Sequence, residues 1–335
     1  MNIPRPLAIA LWPLSILYGF AMTIRAWLYN KGWLKQKRLN RPVISVGNIT
    51  VGGTGKTPMV IWLAERLLAE GKRVAILSRG YRGSSGTSDE IELMKQRLQG
   101  RVKFGVGPDR YVEGLRLEAA GVDVYVLDDG FQHLQLARDA DIVLVDSTSP
   151  LRQEFVLPAG RLREPLSALN RATIVVFTRT EQSELTSSAM PEVPQSAAYP
   201  AATKLLGFRK HGVGKSQEVL RGCIPSPCFA FCGIGNPYAF FANLERWGLH
   251  LAGRRIFQDH HRYTSDEIAE LERAAEAAGA SALVTTEKDA HNIGPALSSR
   301  LAIEIAVVAL EIRDEREFLR DLRQRLPLGV GALAS

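Results

Sequence analysis

A glycine-rich stretch near the start of the chain has residue types suited to holding a phosphate group. The sequence VGNITVGGTGKTP (46–58) contains GKT, the second half of the phosphate-loop pattern G-x-x-x-x-G-K-[ST]. Thr50 stands where that pattern has its first glycine. Gly52 and Gly53 bring the flexible backbone closer to the lysine, so the chemistry of the loop is retained.

Backbone N–H groups, a lysine and a hydroxyl in this loop could together hold a nucleotide. The N–H groups would wrap a polyphosphate, and the positive end of a following helix would add to the binding. Lys56 would reach the β- and γ-phosphates, and the hydroxyl of Thr57 would ligate Mg²⁺. The candidate nucleotide-binding residues of the loop are Gly52, Gly53, Thr54, Gly55, Lys56 and Thr57.

The segment LDDGFQH (127–133) places two carboxylates directly after an apolar run. A Mg²⁺–ATP site needs such oxygen ligands beside its phosphates, so Asp128 and Asp129 are candidate metal ligands. Neighbouring side chains of an extended chain point in opposite directions, and we expect only one of the two to face the metal directly. His133 is a candidate for the same neighbourhood. A solvated turn at the end of a strand is the alternative interpretation.

Two arginine-containing segments also follow apolar runs. SRGYRG (78–83) supplies Arg79 and Arg82, whose guanidinium groups can bind phosphate oxygens, although a solvated loop would have the same composition. TRTE (178–181) faintly resembles a guanine-reading motif, and we interpret that as a chance match.

A phosphate loop has this function only between a strand and a helix, and the flanking residues predict both. Residues 42–49 (PVISVGNI) predict a buried strand before the loop. Residues 58–70 (PMVIWLAERLLAE) have helical periodicity, with Pro58 near the first turn, where proline is tolerated. A further apolar run at 73–78 predicts the next strand.

More apolar runs, at 122–129, 141–146 and 173–178, alternate with helical segments. This alternation predicts a mostly parallel sheet in a P-loop NTPase-like α/β domain. Ligands of such sheets collect at the carboxyl ends of the strands, which is where 127–133 falls.

A second, smaller α/β domain is predicted to begin near residue 200. Residues 228–248 indicate a strand, a glycine turn and a helix, with Asn236 as cap and Pro237 in the first turn. We interpret the glycines of GIGNP (233–237) as parts of a structural turn. The remaining elements predicted here are strands at 282–286 and 302–309 and helices at 265–278 and 314–325.

The chain begins with an apolar leader that predicts a membrane-associated helix. No charge occurs from Pro6 to Ile24, and these residues as a helix would reach roughly 28 Å, close to the hydrocarbon thickness of a bilayer. The basic run from Arg25 to Arg41 could lie against anionic lipid, at about 1 kcal/mol per charge. Aromatic residues that favour the headgroup boundary are concentrated here: Trp12, Tyr18, Trp27, Tyr29 and Trp33.

Several interpretations of the leader compete. A cleaved signal peptide is disfavoured because the basic flank follows the apolar run instead of preceding it. A full span remains open, as does a buried core helix. Pro13 would break the helix near its middle, which favours a bent anchor or one that lies in the membrane plane.

The overall charge and the cysteines exclude two other classes of protein. The net charge of +7 is located in residues 1–41, which hold seven basic residues and no acidic one. The rest of the chain has equal numbers of both, which argues against a nucleic-acid-binding face. Three cysteines are too few for a disulfide scaffold and lack zinc-site spacing, so we expect reduced core thiols: Cys223, Cys228 and Cys232.

Taken together, the motifs resemble one family, the tetraacyldisaccharide 4′-kinases, which are the lipid A 4′-kinases of Gram-negative bacteria. Each stretch alone is weak, but the set is specific and runs from the leader nearly to the C-terminus. The loop with threonine at position 50 agrees with the family. The matching stretches, in the family's order, are VGNITVGGTGKTP (46–58), SRGYRG (78–83), SDE (88–90), LDDGFQH (127–133), LPAGRLREP (157–165), GIGNP (233–237), FQDHHRY (257–263) and TTEKDA (285–290).

The resemblance implies that the γ-phosphoryl group of ATP is transferred, with Mg²⁺, to the 4′-hydroxyl of tetraacyldisaccharide 1-phosphate, which gives lipid IVA. It implies an anchor at 1–41, a P-loop kinase domain at 42–200 and a smaller α/β domain at 201–335, with the active site between the domains. It also implies a position on the cytoplasmic face of the inner membrane. The expected partners are the acylated disaccharide and the membrane surface, with no nucleic acid and no obligate protein partner.

The resemblance further implies roles for individual residues. Asp89 and His260 match the catalytic pair, although His261 leaves the second position ambiguous by one residue. Arg163 and Glu164 match the cleft motif, and the phosphate and metal roles of Lys56, Thr57, Asp128, Asp129 and His133 are carried over.

Phosphoryl transfer to a sugar hydroxyl is helped by a base that accepts the leaving proton, and Asp89 could do so directly or with His260 as relay. With Asp89 expected in the first domain and His260 in the second, domain closure could assemble the pair. A capping or surface cluster is the alternative for DHHRY (259–263).

Two functions from other classes are also compatible with parts of the sequence. A membrane-recruited regulatory NTPase would hydrolyse nucleotide without a small acceptor, because atypical phosphate loops occur in such switches. A non-catalytic membrane adaptor with a relic loop is the third hypothesis, and the intact Lys56 and Thr57 argue against it.

Overall fold

The computed structural model describes residues 5–80, 88–149, 151–182, 196–212, 222–294 and 299–327. The strands are β1 Val43–Asn48, β2 Val74–Ser78, β3 Lys103–Val106, β4 Val124–Asp128, β5 Ala140–Asp146, β6 Ile174–Thr178, β7 Ala197–Lys210, β8 Cys228–Cys232, β9 Leu251–Ile256, β10 Ala282–Thr286 and β11 Ile303–Ile312. The helices are α1 Arg5–Asn30, α2 Lys56–Ala69, α3 Asp89–Leu98, α4 Arg110–Glu118, α5 Pro237–Arg246, α6 Ser265–Ala277, α7 Glu287–Ile293 and α8 Glu315–Arg325.

The chain forms two compact units. The first comprises Met1–Tyr81, Leu98–Ala202 and Glu311–Ser335, and the second comprises Arg82–Arg97 and Thr203–Leu310. The predicted mostly parallel α/β fold is confirmed.

In the first unit the strand order is β3-β2-β4-β1-β5-β6-β7, and neighbouring strands run parallel. All residues of β1, β2, β4 and β5 are buried, as expected for a parallel sheet with both faces covered. In β1 the residue Val46 is paired with Asp128 of β4, so the phosphate loop and the aspartates leave the sheet at the same edge. The register therefore places the two predicted segments side by side.

In the second unit the order is β7-β11-β10-β8-β9. β8 is fully buried between β10 and β9. Apolar residues from α6, β8 and β10 form one core, which includes Phe231, Leu271 and Leu283. The caps predicted for α5 are confirmed, because the Asn236 side chain accepts from the N–H of Ala239 and Pro237 is the first helical residue.

The sequence-based boundaries differ from this grouping in three places. The leader contacts the first unit, α3 lies in the second unit, and α8 lies in the first. In α8, Phe318 stacks edge-on against Trp62 of α2 and Tyr199 of β7, so the C-terminal helix packs far from its neighbours in sequence. Whether a segment belongs to the first or the second unit is therefore decided by its contacts and not by its position along the chain.

Helix α1 is long and apolar enough to cross a membrane. It continues through Pro13, so the expected break there is wrong; proline removes only one backbone hydrogen bond of the helix. Few of its side chains are buried, which argues against the core-helix interpretation. Its exposed large apolar residues are Ile9, Trp12, Leu14, Ile16, Leu17, Phe20, Ile24 and Trp27.

Polar contacts attach the leader to the body of the first unit. Ser15 Oγ accepts a hydrogen bond from the N–H of Ala159 at 2.8 Å. Lys37 and Arg38 form ion pairs at 3.0 Å with Asp109 and Asp139. Lys37 and Arg38 of the basic run therefore have charged partners within the protein.

The cysteines differ in burial. Cys228 and Cys232 are buried in β8, where burial raises the pKa of the Cys228 thiol to about 11. Cys223 is exposed, so the expectation of a core thiol is wrong at that position.

Candidate active site

The phosphate loop connects the fully buried β1 to α2, as predicted. Gly52 and Gly55 have φ values of 111° and 92°, which strain a residue that carries a Cβ. Gly55 occupies the position before the first residue of the helix, and Lys56 begins α2. The first turn of a helix leaves backbone N–H groups without partners inside the helix, so this loop ends in a site suited to an anion. Thr57, the second helical residue, is half-buried.

Side chains outside the loop hold its carbonyl groups. Thr178 Oγ1 donates to the carbonyl of Thr54 at 3.0 Å, and Arg179 Nη2 donates to the carbonyl of Gly53 at 2.6 Å. Arg179, at φ 59°, also pairs with Asp146 at the end of β5. The TRTE segment thus contributes to the site, although the sequence analysis gave it no role. Its position directly after β6, at the edge shared with the loop, was the available signal.

Asn48, the last residue of β1, is a second supporting residue that the sequence analysis missed. Its Nδ2 donates to Thr54 Oγ1 at 3.0 Å, and its carbonyl accepts from Gln132 Nε2 at 3.1 Å. Its Oδ1 is buried without a hydrogen-bond partner. A hydrogen bond from a ligand or a water would satisfy this buried acceptor beside the loop.

Asp128 and Asp129 have different hydrogen-bond partners. Asp128 is buried at the end of β4, and one of its carboxylate oxygens accepts from Ser78 Oγ at 3.0 Å. Asp129 follows at φ 49° and accepts from Arg163 Nη1, at 2.9 Å to both oxygens. Lys56 Nζ lies 3.6 Å from Asp129 Oδ1.

The three charged residues Lys56, Asp129 and Arg163 form one network in the first unit. Burial raises the pKa of Asp129, but the positive charges of Lys56 and Arg163 outweigh this effect and hold the pKa below its ordinary value. Asp129 is therefore ionised at neutral pH. An anion bound at Lys56 and a cation bound at Asp129 could both replace contacts within this network.

His133 lies in the turn that follows the aspartates. Its backbone N–H donates to the carbonyl of Gly130 at 2.8 Å, and its carbonyl accepts from Arg138. Burial lowers the pKa of His133 to about 4, and the charges of Arg110 and Arg138 act in the same direction. The ring is therefore neutral at pH 7, so it can exchange hydrogen bonds but adds no positive charge.

The two residues of the predicted cleft motif have separate partners. Arg163 belongs to the network around Asp129. Glu164 is 2% exposed and forms a bidentate ion pair with Arg171, at 2.9 and 3.0 Å. The structure thus brings Arg163 to the candidate site, whereas the buried Glu164 pairs with the half-buried Arg171. Of the predicted phosphate-binding arginines, Arg79 is exposed at the end of β2, and Arg82 lies outside the described residues.

Asp89 and His260 lie together in the second unit. Asp89 is the first residue of α3, and His260 lies in the turn after β9 at φ 62°. His260 Nδ1 is 2.9 Å from both carboxylate oxygens of Asp89. The neighbouring His261 instead contacts Glu267 at 3.0 Å, so of the two histidines it is His260 that contacts Asp89. The expectation that Asp89 and His260 belong to different domains differs from this grouping.

Each member of the Asp89–His260 pair stabilises the charged form of the other. Burial raises the pKa of Asp89, but the hydrogen bond from His260 and the charges of Lys288 and His260 together lower it below its ordinary value. The hydrogen bond to Asp89 raises the pKa of His260, against the opposing effects of burial and Lys288. An ionised carboxylate oriented by an imidazole is suited to accept a proton from a hydroxyl group.

The described residues contain no group of three or more His, Cys, Asp or Glu side chains placed to hold a metal ion. A Mg²⁺ ion needs fewer protein ligands, because it keeps several waters and binds through one or two carboxylates together with phosphate oxygens. Asp128, Asp129 and Thr57 supply oxygen donors of this kind in the first unit, so the residues fit Mg²⁺ bound together with a nucleotide.

Comparisons with known proteins agree with one another. The family model described as LpxK, tetraacyldisaccharide-1-P 4′-kinase, matches residues 7–327. A tetraacyldisaccharide 4′-kinase of Geobacter metallireducens is 41% identical over 322 residues, which are 90% of this chain and 94% of the relative. A tetraacyldisaccharide 4′-kinase of Pelobacter propionicus is 41% identical over 304 residues, which are 85% and 83% of the two chains.

A solved structure is similar over nearly the whole length. The crystal structure of LpxK from Aquifex aeolicus, described as an "apo" form in complex with ATP, is 30% identical and has a TM-score of 0.74. The similarity covers 96% of this chain and 99% of that chain. The family assignment made from the motifs is confirmed, and this chain belongs to the tetraacyldisaccharide-1-P 4′-kinase family.

Proposed function

We propose that this chain is an ATP-dependent kinase that phosphorylates the 4′-hydroxyl of tetraacyldisaccharide 1-phosphate and so forms lipid IVA. Its family membership supports this reaction. The structural observation that carries the proposal is the placement of Lys56. It begins α2 after a loop with two glycines at positive φ, and its Nζ lies beside Asp129.

The first unit is assigned the binding of ATP and Mg²⁺. Backbone N–H groups at residues 52–57 and the Lys56 ammonium bind the phosphates, and Arg163 adds a second cation in the same network. Thr57, Asp128 and Asp129 would hold Mg²⁺, which neutralises charge on the phosphate oxygens. Neutral His133 has the role of a hydrogen-bonding neighbour, and Glu164 supports this region through Arg171.

The second unit is assigned the activation of the acceptor hydroxyl. Asp89 accepts the proton of the 4′-hydroxyl as the oxygen attacks the γ-phosphorus, and the bond from that phosphorus to ADP breaks. His260 donates its Nδ1–H to hold the carboxylate in place. General-base help of this kind is worth about 10²–10⁴-fold in rate. Both residues titrate with shifted pKa values, as is common in catalytic pairs.

Helix α1 is assigned to the cytoplasmic surface of the inner membrane. Its large apolar side chains, such as Leu17 and Phe20, are 63% exposed in this chain, and a lipid surface would cover them. An acylated substrate resides in the same surface, so the anchor would increase the rate at which enzyme and substrate meet.

The test is a phosphorylation assay with the full chain in detergent. Protein, Mg²⁺, ATP labelled in the γ-phosphate and tetraacyldisaccharide 1-phosphate are combined, and the bis-phosphorylated lipid is measured by chromatography. Lys56→Ala is expected to lower turnover at least about a hundredfold, whereas Lys95→Ala, at an exposed ion pair on α3, serves as the matched control. Hydrolysis of ATP without a phosphorylated lipid would contradict the proposal and favour a regulatory NTPase.

A further inference from the structure

A lysine lies beside the Asp89–His260 pair and has no part in the reaction as proposed above. Lys288 is the second residue of α7, in the segment TTEKDA. We propose that Lys288 is a positioning residue that favours a neutral His260 ring, with its proton on Nδ1 facing Asp89 and its lone pair on Nε2. This inference rests on the proposed function, because it assigns Asp89 as the group that accepts the hydroxyl proton.

The ammonium group of Lys288 lies close to the His260 ring and to three carboxylates, one of which is Asp89. Its Nζ lies 3.1 Å from Asp259 Oδ1, 3.3 Å from His260 Nε2, 3.7 Å from Glu90 Oε1 and 3.9 Å from Asp89 Oδ2. The side chain is 17% exposed. Lysines are seldom buried to this degree without charged partners, and here three carboxylates surround one ammonium group.

The contacts of the two ring nitrogens define one tautomer of His260. Nδ1 faces both oxygens of an ionised carboxylate, which can only accept, so Nδ1 must carry a proton. Nε2 faces the Lys288 ammonium, which can only donate, so Nε2 must offer its lone pair. A doubly protonated ring would direct its Nε2–H at the lysine charge and lose this hydrogen bond.

The charge balance explains why a cation is needed beside this ring. Two carboxylates contact His260, Asp89 from α3 and Asp259 from its own turn, and Lys288 of α7 contacts the ring as well. Glu90 of α3 contacts Lys288. Without the lysine, the two carboxylates at the ring would favour the imidazolium form. Burial lowers the pKa of Lys288, but Glu90, Asp89 and Asp259 outweigh this and raise it, so the ammonium form is maintained.

The backbone that carries Lys288 is fixed at several points. Glu287, the preceding residue, forms a bidentate pair with Arg97 of α3 at 2.9 and 3.0 Å. Asp289, the following residue, accepts from the N–H of Gly233 at 2.8 Å and from Tyr263 Oη at 2.9 Å. One turn further along α7, Asn292 Nδ2 donates to Asp89 at 3.3 Å. Helix α7 therefore connects the start of α3 to the turn that carries His260.

Gly233, in GIGNP, connects this arrangement to the backbone of His260. Its carbonyl accepts from the N–H of His260 at 3.2 Å. A Cβ at this position would lie 2.6 Å from the carbonyl oxygen of Gln258, so only glycine allows the close approach. The GIGNP motif, which the sequence analysis interpreted as a structural turn, thus holds the backbone of His260. Asp289 fixes the motif through its hydrogen bond from Gly233.

The neutral ring matters for the base. When the acceptor hydroxyl loses its proton, that proton moves to a carboxylate oxygen of Asp89. A neutral imidazole donates one hydrogen bond to this carboxylate, whereas an imidazolium would bind it as a full ion pair and make it a weaker base. Lys288 therefore acts on the rate through His260 and not through contact with the substrate.

Two measurements on the full chain in detergent test this role. The first is a ¹⁵N NMR titration of protein labelled at histidine, with the His260 signals identified by their loss in His260→Asn. The second is the assay above, run as a pH profile with separate kcat and KM values. The variants are Lys288→Met, which removes the charge, Lys288→Arg, which keeps it, and Lys95→Met as the matched control on α3.

In the wild type we expect the neutral ring to carry its proton on Nδ1. In Lys288→Met the midpoint of the His260 titration should rise by about one pH unit, and the ring should show a mixture of tautomers. The acid limb of kcat should move upward with it, kcat should fall about tenfold or more, and the KM for ATP should remain unchanged. In Lys288→Arg the midpoint of the His260 titration and kcat should both be close to the wild-type values. Lys95→Met should match the wild type.

An unchanged midpoint and tautomer in Lys288→Met would overturn the inference, and so would a wild-type ring with its proton on Nε2. The wild-type spectrum decides the second point even where Lys288→Met does not fold. A wild-type chain that makes no phosphorylated lipid would overturn the proposed function, while the NMR titration would still decide the contact between Lys288 and His260.

Discussion

His260 Nδ1 lies 2.9 Å from both carboxylate oxygens of Asp89, a residue 171 positions earlier in the chain. The contact joins the start of α3 to the turn after β9 within one compact unit. Neither residue is adjacent in sequence to the phosphate loop or to the aspartates of β4. The pair therefore makes predictions that are separate from those for the nucleotide-binding residues.

Removal of either member of the pair should lower turnover without weakening ATP binding. We expect Asp89→Asn and His260→Asn each to reduce kcat by about 10²–10⁴-fold, because the base is lost or misplaced. The raised pKa of His260 means that activity should be lost as the pH falls through that pKa. Steady-state kinetics across pH measures both effects. His261→Asn is the control, since that ring contacts Glu267, and near-normal rates in Asp89→Asn would contradict the assignment of the base.

The positive φ of Gly55 should be needed for ATP binding. A Cβ at this position meets Leu144 and Thr178 only at 3.8 Å, so Gly55→Ala tests the backbone conformation and not steric overlap. A left-handed alanine costs about 1–2 kcal/mol, so relaxation of the loop should weaken ATP binding by about fivefold or more. Isothermal titration calorimetry gives the Kd.

Gly71→Ala is the matched control for this change. Gly71 has φ 76°, lies just after the C-terminus of α2 and has no atoms within 4 Å of a Cβ. It should lose a similar amount of stability in urea unfolding and keep its affinity for ATP. Equal affinities in the two variants would show that the loop conformation is not what binds the nucleotide.

The hydroxyl of Thr178 should stabilise the loop. Thr178→Val removes the donor to the carbonyl of Thr54 and leaves the shape of the side chain nearly unchanged. A buried carbonyl without its partner costs about 1–3 kcal/mol, so we expect the KM for ATP to rise several-fold. Thr173→Val is the control, because that hydroxyl accepts from the N–H of Asp141 at the opposite end of β6. A rise of similar size in the control would argue against a local effect on the loop.

His133 should make the protein less stable in mild acid. Its pKa is about 4 in the folded chain and 6.5 in the unfolded chain, so between these values the unfolded state binds more protons. The free energy of unfolding should therefore fall as the pH drops through this window. In His133→Gln the pH dependence should be flatter, which urea unfolding at about pH 7 and about pH 5 would measure. Equal slopes for both proteins would contradict the lowered pKa.

The sequence predicted those parts of the fold whose determinants are close together in the chain. The strand at 42–49, the glycine loop and the helix at 58–70 correspond to β1, the loop and α2. The cap at Asn236 and the start of α5 at Pro237 are confirmed for the same reason, since a cap depends on three or four consecutive residues. Parallel strands with both faces buried have continuous apolar runs, and these were recognised from composition alone.

Elements with mixed polarity were not predicted. The strand β7 mixes buried, half-buried and exposed residues, and β9 has only half-buried and exposed ones. Helix α7 has only seven residues. In α3 the charged residues outnumber the apolar ones, so Asp89 was assigned through a short motif and not through its helix. Family resemblance was therefore necessary to select Asp89 and His260 as a pair.

The order of residues along the chain determined the phosphate loop, the buried strands and the family. The packing of distant segments decided that Lys56 faces Asp129 and that Thr178 and Arg179 hold the loop. It also decided that Lys288 lies against His260. The physical reason is that backbone conformation depends mainly on neighbouring residues, whereas the partner of a charged side chain is selected by burial and by the charges that the fold brings within a few ångströms.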